Sequence, residues 1–142
     1  MTRREIRKHI FKLLFEVEFR DKDEMCELIG IYLDLLDDVT LENSTYITQK
    51  TLNICEQIQI LDEEINKVAV GWKTSRMNKV DLTILRLALY EIKFDEDIPN
   101  KVAVNEAVEL SKEYSTEESS AFVNGILASL VQKNSKKTET EV

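Results

Sequence analysis

Apolar residues recur along most of this chain at intervals of three and four, the period of a helix with one buried face. From Arg3 to Arg20, one stripe carries Ile6, Ile10, Leu13, Leu14 and Val17. Phe11, Phe15 and Phe19 repeat every four residues on a second face, which by helical angle also holds Arg4, Lys8 and Lys12. A second helix is expected from a cap at Asp21 or Asp23 to about Leu36, with Met25, Ile29, Leu33 and Leu36 inward. The segment DDVTLENS reads as a loop, and Asn43 or Ser44 as the start of a third helix. Its apolar series, Ile47, Ile54, Ile58 and Leu61, continues in phase through Ile65, Val68 and Trp72. The acidic run Asp62, Glu63, Glu64 suits the positive end of a helix, which predicts a boundary near Leu61.

Asn78 is positioned to cap KVDLTILRLALYEIKF, a helix apolar on almost every side and therefore central. Its polar residues, Lys79, Thr83, Arg86, Tyr90 and Lys93, form a single stripe. A guanidinium on an otherwise buried helix must reach a partner or the surface, so Arg86 is either half of a structural ion pair or a ligand contact. DEDIPNK reads as a loop, with Pro99 in the first turn of a helix through Tyr114, where its missing N–H costs nothing. Ser115-Thr116-Glu117-Glu118 matches a capping box with Ser115 as cap, opening a last helix to about Gln132. That helix contains Asn124-Gly125, a pair that signals a hairpin when flanked by apolar residues. Helical spacing continues on both sides of it, and Ala121, Gly125 and Ala128 form a small-residue stripe. The expectation is a glycine that admits close approach of another helix.

The sum is about seven helices with short connections and no repeat of fixed period, an all-α bundle. One proline and three glycines in 142 residues leave little material for the turns of a β protein. Residues 1–133 read as a single helical domain with subdomains of about 1–60 and 61–133, and 134–142 as a disordered polar tail. No apolar run approaches the roughly 20 residues that cross a bilayer, and the N-terminus lacks a signal-peptide core. No membrane partner is implied, and a cytoplasmic location is expected. Cys26 and Cys55 stand apart without a second ligand type nearby, which favours two buried thiols over a disulfide or zinc site.

Charge changes the picture at one end. The net charge is −8. Within residues 1–12, however, Arg3, Arg4, Arg7, Lys8 and Lys12 face only Glu5, a balance of +4. A basic end on an acidic body points to an anionic partner. The first helix has two readings: a helix packed on two sides with aliphatic stems over the rings, or a basic face with interleaved aromatics suited to phosphates and unstacked bases. Catalytic chemistry is absent from the pattern. The single histidine, His9, has no evident partner, and no nucleophile–base–orienter set, phosphate loop or metal-ligand spacing occurs. Neither an enzyme nor a cofactor is expected.

Three ordered motifs carry a resemblance: WKTSRMNKVDLTILRLALYE from Trp72, IPNKVAVNEAVELSKEY from Ile98, and SSAFVNGIL from Ser119. Together with RKHIFKLLFEVEF from Arg7, they resemble the bacterial transcription antitermination factors of the NusB family over about residues 3–131. The resemblance implies an all-α fold of two three-helix subdomains. It also implies binding of a short single-stranded RNA element, boxA, together with a small-subunit ribosomal protein (NusE). That heterodimer joins other Nus factors on RNA polymerase to promote processive transcription of ribosomal RNA operons. Some family members form homodimers that hide the RNA face, a state open to this chain as well.

Carried over by position, the implied RNA contacts are Arg3, Arg4, Arg7, Lys8, Arg86, Glu118, Phe122 and Asn124. Lys12 stands where the family has glutamine and Phe15 where it has tyrosine; charge and stacking remain available from both. Asn100 replaces a common tyrosine in IPNK. Asp81 and Glu91, opposite the Arg86 stripe, are candidates for meeting the ribosomal partner. A competing reading is an acidic helical protein-interaction module that never touches RNA. The basic, aromatic-interleaved first helix favours the RNA reader.

Overall fold

The computed structural model describes residues 1–134. Seven α-helices account for most of them, and no strand occurs among the described residues. The expected tail from 134 onward lies, but for its first residue, outside them. The chain divides into two compact units, Met1–Glu56 and Gln57 onward. The first holds three helices and the second four, one more than the pair of three-helix subdomains implied by resemblance.

In the first unit, α1 (Arg3–Phe15) opens on a capping box: Thr2 Oγ1 accepts the Glu5 N–H at 3.1 Å and the Glu5 carboxylate accepts the Thr2 N–H at 3.0 Å. The expected helix to Arg20 instead tightens after Phe15 into a 3-10 turn, Glu16–Phe19. Asp21 caps α2 (Lys22–Asp34) through a second capping box with Glu24. Helix α3 (Leu41–Glu56) starts earlier than the loop reading allowed, because the Thr40 hydroxyl takes up the Asn43 N–H. Both α1 and α2 pack on α3, burying Ile10, Leu13, Leu14, Met25, Ile29, Leu33, Ile47 and Ile54. His9 does have a partner: its Nδ1 lies 2.7 Å from the Tyr32 hydroxyl, with the rings edge to face. Cys26 is exposed and Cys55 half-buried, so the expectation of two buried thiols fails. Both are free.

In the second unit, α5 (Lys79–Phe94), capped by Asn78 through the Val80 and Asp81 N–H groups, is enclosed by α4 (Ile58–Val68), α6 (Asn100–Tyr114) and α7 (Glu117–Lys133). Its residues from Leu82 to Leu89 are all buried, as a helix apolar on every side requires. The break between α3 and α4 falls at Gln57, not near Leu61. Asp62 is therefore no cap. It lies inside α4, where its carboxylate takes a two-point grip from Arg86, Nε at 2.8 Å and Nη2 at 2.7 Å. Two turns further along α5, Lys93 pairs with Glu64 at 2.9 Å. The polar stripe of α5 thus meets the acidic face of α4.

Pro99 is the cap residue of α6, one position before its first turn, and Thr116 rather than Ser115 caps α7 by accepting the Ser119 N–H. Hydroxyls stitch these helices together. Ser111 and Ser120 meet at 2.8 Å in the interior, Ser115 donates to Ser119, and Ser119 donates to the Asp81 carboxylate at 3.0 Å. The close-approach account of Gly125 is overturned: an added Cβ meets nothing within 4 Å, and Ala121, Gly125 and Ala128 all face outward.

Three outcomes follow. Asp62→Ala strands a buried guanidinium and should lower unfolding stability by about 3 kcal/mol in urea titrations, whereas Asp62→Leu combined with Arg86→Met should cost far less. Gly125→Ala should raise stability by up to about 1 kcal/mol, since the helix gains a better former with no clash. Burial, reinforced by Lys12 and opposed by Glu5, holds the His9 pKa below its ordinary 6.5. The neutral ring is the form that folds, so this contribution is complete above the unfolded value and is lost as pH falls through the lower folded one. Urea midpoints should decline from about pH 7.5 to about pH 6, and His9→Asn should flatten that decline.

Candidate nucleic-acid interface

The residues singled out in the sequence divide between the two units. In the first, all six lie on α1, whose capping box fixes the backbone from the first turn. Arg3, Arg4 and Lys12 are exposed, while Lys8 and Phe15 are half-buried. Arg7 is only 9% exposed. Its charge and its stem are thus part of the packed body, and truncating it removes packing as well as charge. Phe11, one of the three rings in the aromatic series, is core. Phe15 and Phe19 remain, 6.0 Å apart and tilted, with Phe19 largely in solvent on the 3-10 turn. The inner side of this helix packs, while Arg4, Lys12 and Phe15 fall toward one outer side, with Arg3 on the other side of the first turn and Phe19 on the 3-10 turn beyond. The positive end of the helix dipole adds to the field of Arg3 and Arg4.

In the second unit, α7 presents Glu118 and Asn124 to solvent and Phe122 half-buried. Glu118 and Phe122 stand one turn apart on the same side of α7, whereas Asn124, two residues on, points away from them. Arg86 does not reach this surface. It is 5% exposed and held by Asp62, the structural alternative left open by the sequence. Asp81 and Glu91 are 7% and 1% exposed, so neither presents a carboxylate to a partner. Asp81 instead anchors Ser119. Asn100 is buried at the start of α6.

One surface residue escaped the pattern. Trp72 continues the apolar phase of Ile65 and Val68, which reads as core, but α4 ends at Val68 before the phase does. The Trp72 N–H closes a turn onto the Ala69 carbonyl at 2.9 Å, with Gly71 at φ +84° inside it. The indole emerges 59% exposed, edge-on to Phe122 with ring centres 6.0 Å apart. Val-Gly-Trp after a helical phase is the one available signal, since a left-handed glycine ends the helix there. Among the described residues, no group of histidine, cysteine and carboxylate side chains is arranged to hold a metal. No described helix is long and apolar enough to cross a membrane.

Comparison with known proteins places this geometry. The NusB family model matches residues 4–132. The chain is 54% identical over 128 residues to the transcription antitermination protein NusB of Agathobacter rectalis, covering 90% of this chain and 98% of that one. It is 46% identical over 131 residues to the protein of that name from Lachnoclostridium phytofermentans, covering 92% and 99%. Among solved structures, T. maritima NusB superposes with a TM-score of 0.85 at 34% identity, over 100% of this chain and 99% of that one. A chain from a crystal structure described as a plectonemic RNA supercoil shares the fold, with a TM-score of 0.77 at 22% identity. A family match spanning nearly every described residue, with relatives aligned almost end to end, leaves one conclusion: the chain belongs to the NusB family.

Proposed function

We propose that this chain binds boxA-type single-stranded RNA together with a small-subunit ribosomal protein (NusE), and that the pair acts with other Nus factors on RNA polymerase to keep transcription of ribosomal RNA operons processive. NusB proteins are transcription antitermination factors and not enzymes. The observation that carries the RNA reading is the exposed charge of α1: Arg4 and Lys12 on the side of Phe15, which neighbours Phe19, and Arg3 in the first turn, on a chain of net charge −8. Cations there neutralise phosphates without sequence preference, and the rings stack on unpaired bases. In the second unit, Phe122 offers a further ring, and Asn124 and Glu118 offer groups that read base edges. The acidic remainder discourages binding elsewhere and attracts a basic ribosomal protein. The cytoplasm, where transcription and ribosomal proteins meet in bacteria, is the compartment this reading requires.

Fluorescence anisotropy of a labelled boxA-type RNA, with and without the ribosomal protein and at two salt concentrations, tests the proposal. Binding should tighten with the partner and weaken with salt by about 0.7 log units per phosphate contact for each tenfold rise. Arg4→Ala should lower that slope by about one contact. Phe122→Ala should cost about 1–3 kcal/mol. Equal binding of a scrambled RNA under every condition would remove the specific reader. Absence of RNA binding in the presence of the partner would leave the acidic protein-interaction module.

A further inference from the structure

The N-terminus is not the only basic segment. From Ile65 to Val80 the chain carries Lys67, Lys73, Arg76 and Lys79 and no acidic residue, although it contains 27 acidic residues in all. Trp72 stands in the middle of this stretch. Most of its indole is in water, an arrangement that wastes a large apolar surface unless something covers it. Nor is the ring loose. The Trp72 backbone N–H donates to the Ala69 carbonyl, the next turn is held by the Thr74 N–H donating to Asn66 Oδ1 at 2.8 Å, and Phe122 braces one edge of the ring. Thr74 is buried and the 3-10 turn Thr74–Arg76 packs on α4, so the segment on either side of the indole is anchored. Lys73 and Arg76 are both exposed, and neither is engaged in an ion pair among the described residues.

We propose that Trp72 and Phe122 form a stacking ledge for an unpaired RNA base, with Lys73 and Arg76 taking the flanking phosphates. This rests on the RNA-binding reading above and extends it to three residues that reading does not use. A fixed aromatic face beside free cations is the combination that single-stranded nucleic acid requires: the ring accepts any base by its π-face, and the cations track the backbone. Glu118, one turn before Phe122, repels phosphate and leaves its carboxylate to accept from a base amine. The local charge argues against a basic protein as occupant, because the ledge is cationic where the rest of the chain is acidic.

Trp72 is the sole tryptophan, so its emission reports this site alone. Titrating the full chain with boxA-type RNA should quench that emission in step with the anisotropy of the labelled RNA. Trp72→Ala should lose affinity about 5- to 150-fold, the range for one base–aromatic stack, while Trp72→Phe keeps most of it. Lys73→Ala and Arg76→Ala should each lower the salt slope by about 0.7. Circular dichroism confirms that the variants fold, as an exposed position allows. RNA that binds by anisotropy yet leaves Trp72 emission and the Trp72→Ala affinity unchanged overturns the ledge and spares the broader reading. Quenching by the ribosomal partner alone, with no further change on adding RNA, also overturns it, by assigning the indole to a protein contact. Absence of any RNA binding with partner present defeats the broader reading and this one with it.

Discussion

A helix that is apolar on nearly every side cannot exist at a surface, and α5 imposes that constraint on the whole second unit. Three helices must surround it, and their arrangement is fixed where α5 is not apolar. Arg86 and Lys93 lie on its single polar stripe and are met by Asp62 and Glu64 of α4. Thr83 satisfies itself by donating to the Lys79 carbonyl at 2.7 Å. A buried guanidinium held by both carboxylate oxygens contributes less to net stability than its distances suggest, because both charges were desolvated to form it. Its value is in register: only one rotation of α4 against α5 brings Asp62 to Arg86. Near the other end of the helix, Asp81 and the serines of α6 and α7 set the remaining contacts in the same way.

Much of this was legible from periodicity, and what was not has a common cause. The apolar phase located the helical stretches, with α3 and α4 running on as one, and Asn78 and Asp21 declared themselves as caps because capping is local chemistry. The break at Gln57 was invisible. Ile54, Leu61 and Ile65 are all fully buried, so a pattern that records only burial passes through the break without interruption. Asp62 looked like a cap because it stands at the head of an acidic run, but its partner is 24 residues away, a pairing that no window of sequence contains. Gly125 was misread for a related reason. Small residues at helical spacing are equally consistent with a contact and with bare surface, and only the neighbours decide.

The candidate interface divides along the same line. Exposed charge at the N-terminus could be read directly, because nothing else in the first helix competes for it. Burial took Arg7 into the packed body and Arg86 into an ion pair, leaving Arg3, Arg4 and Lys12 as the accessible cations of the carried-over set. Trp72 moved the opposite way, from apparent core to surface, because a turn interrupts the helix before the hydrophobic phase ends. Both corrections concern which side of the solvent boundary a long side chain occupies, and periodicity records only the average side of its neighbours.

That turn depends on a residue with no side chain. At φ +84°, Gly71 occupies backbone space that costs an ordinary L-residue about 1–2 kcal/mol. A bulkier replacement would therefore shift the equilibrium between this loop and other conformers about 5- to 30-fold away from the one that presents the indole. At the proposed ledge, affinity would follow the population of that conformer although no contacting atom had changed. The handedness of one peptide unit thus helps to set how often the tryptophan beside it stands in the solvent.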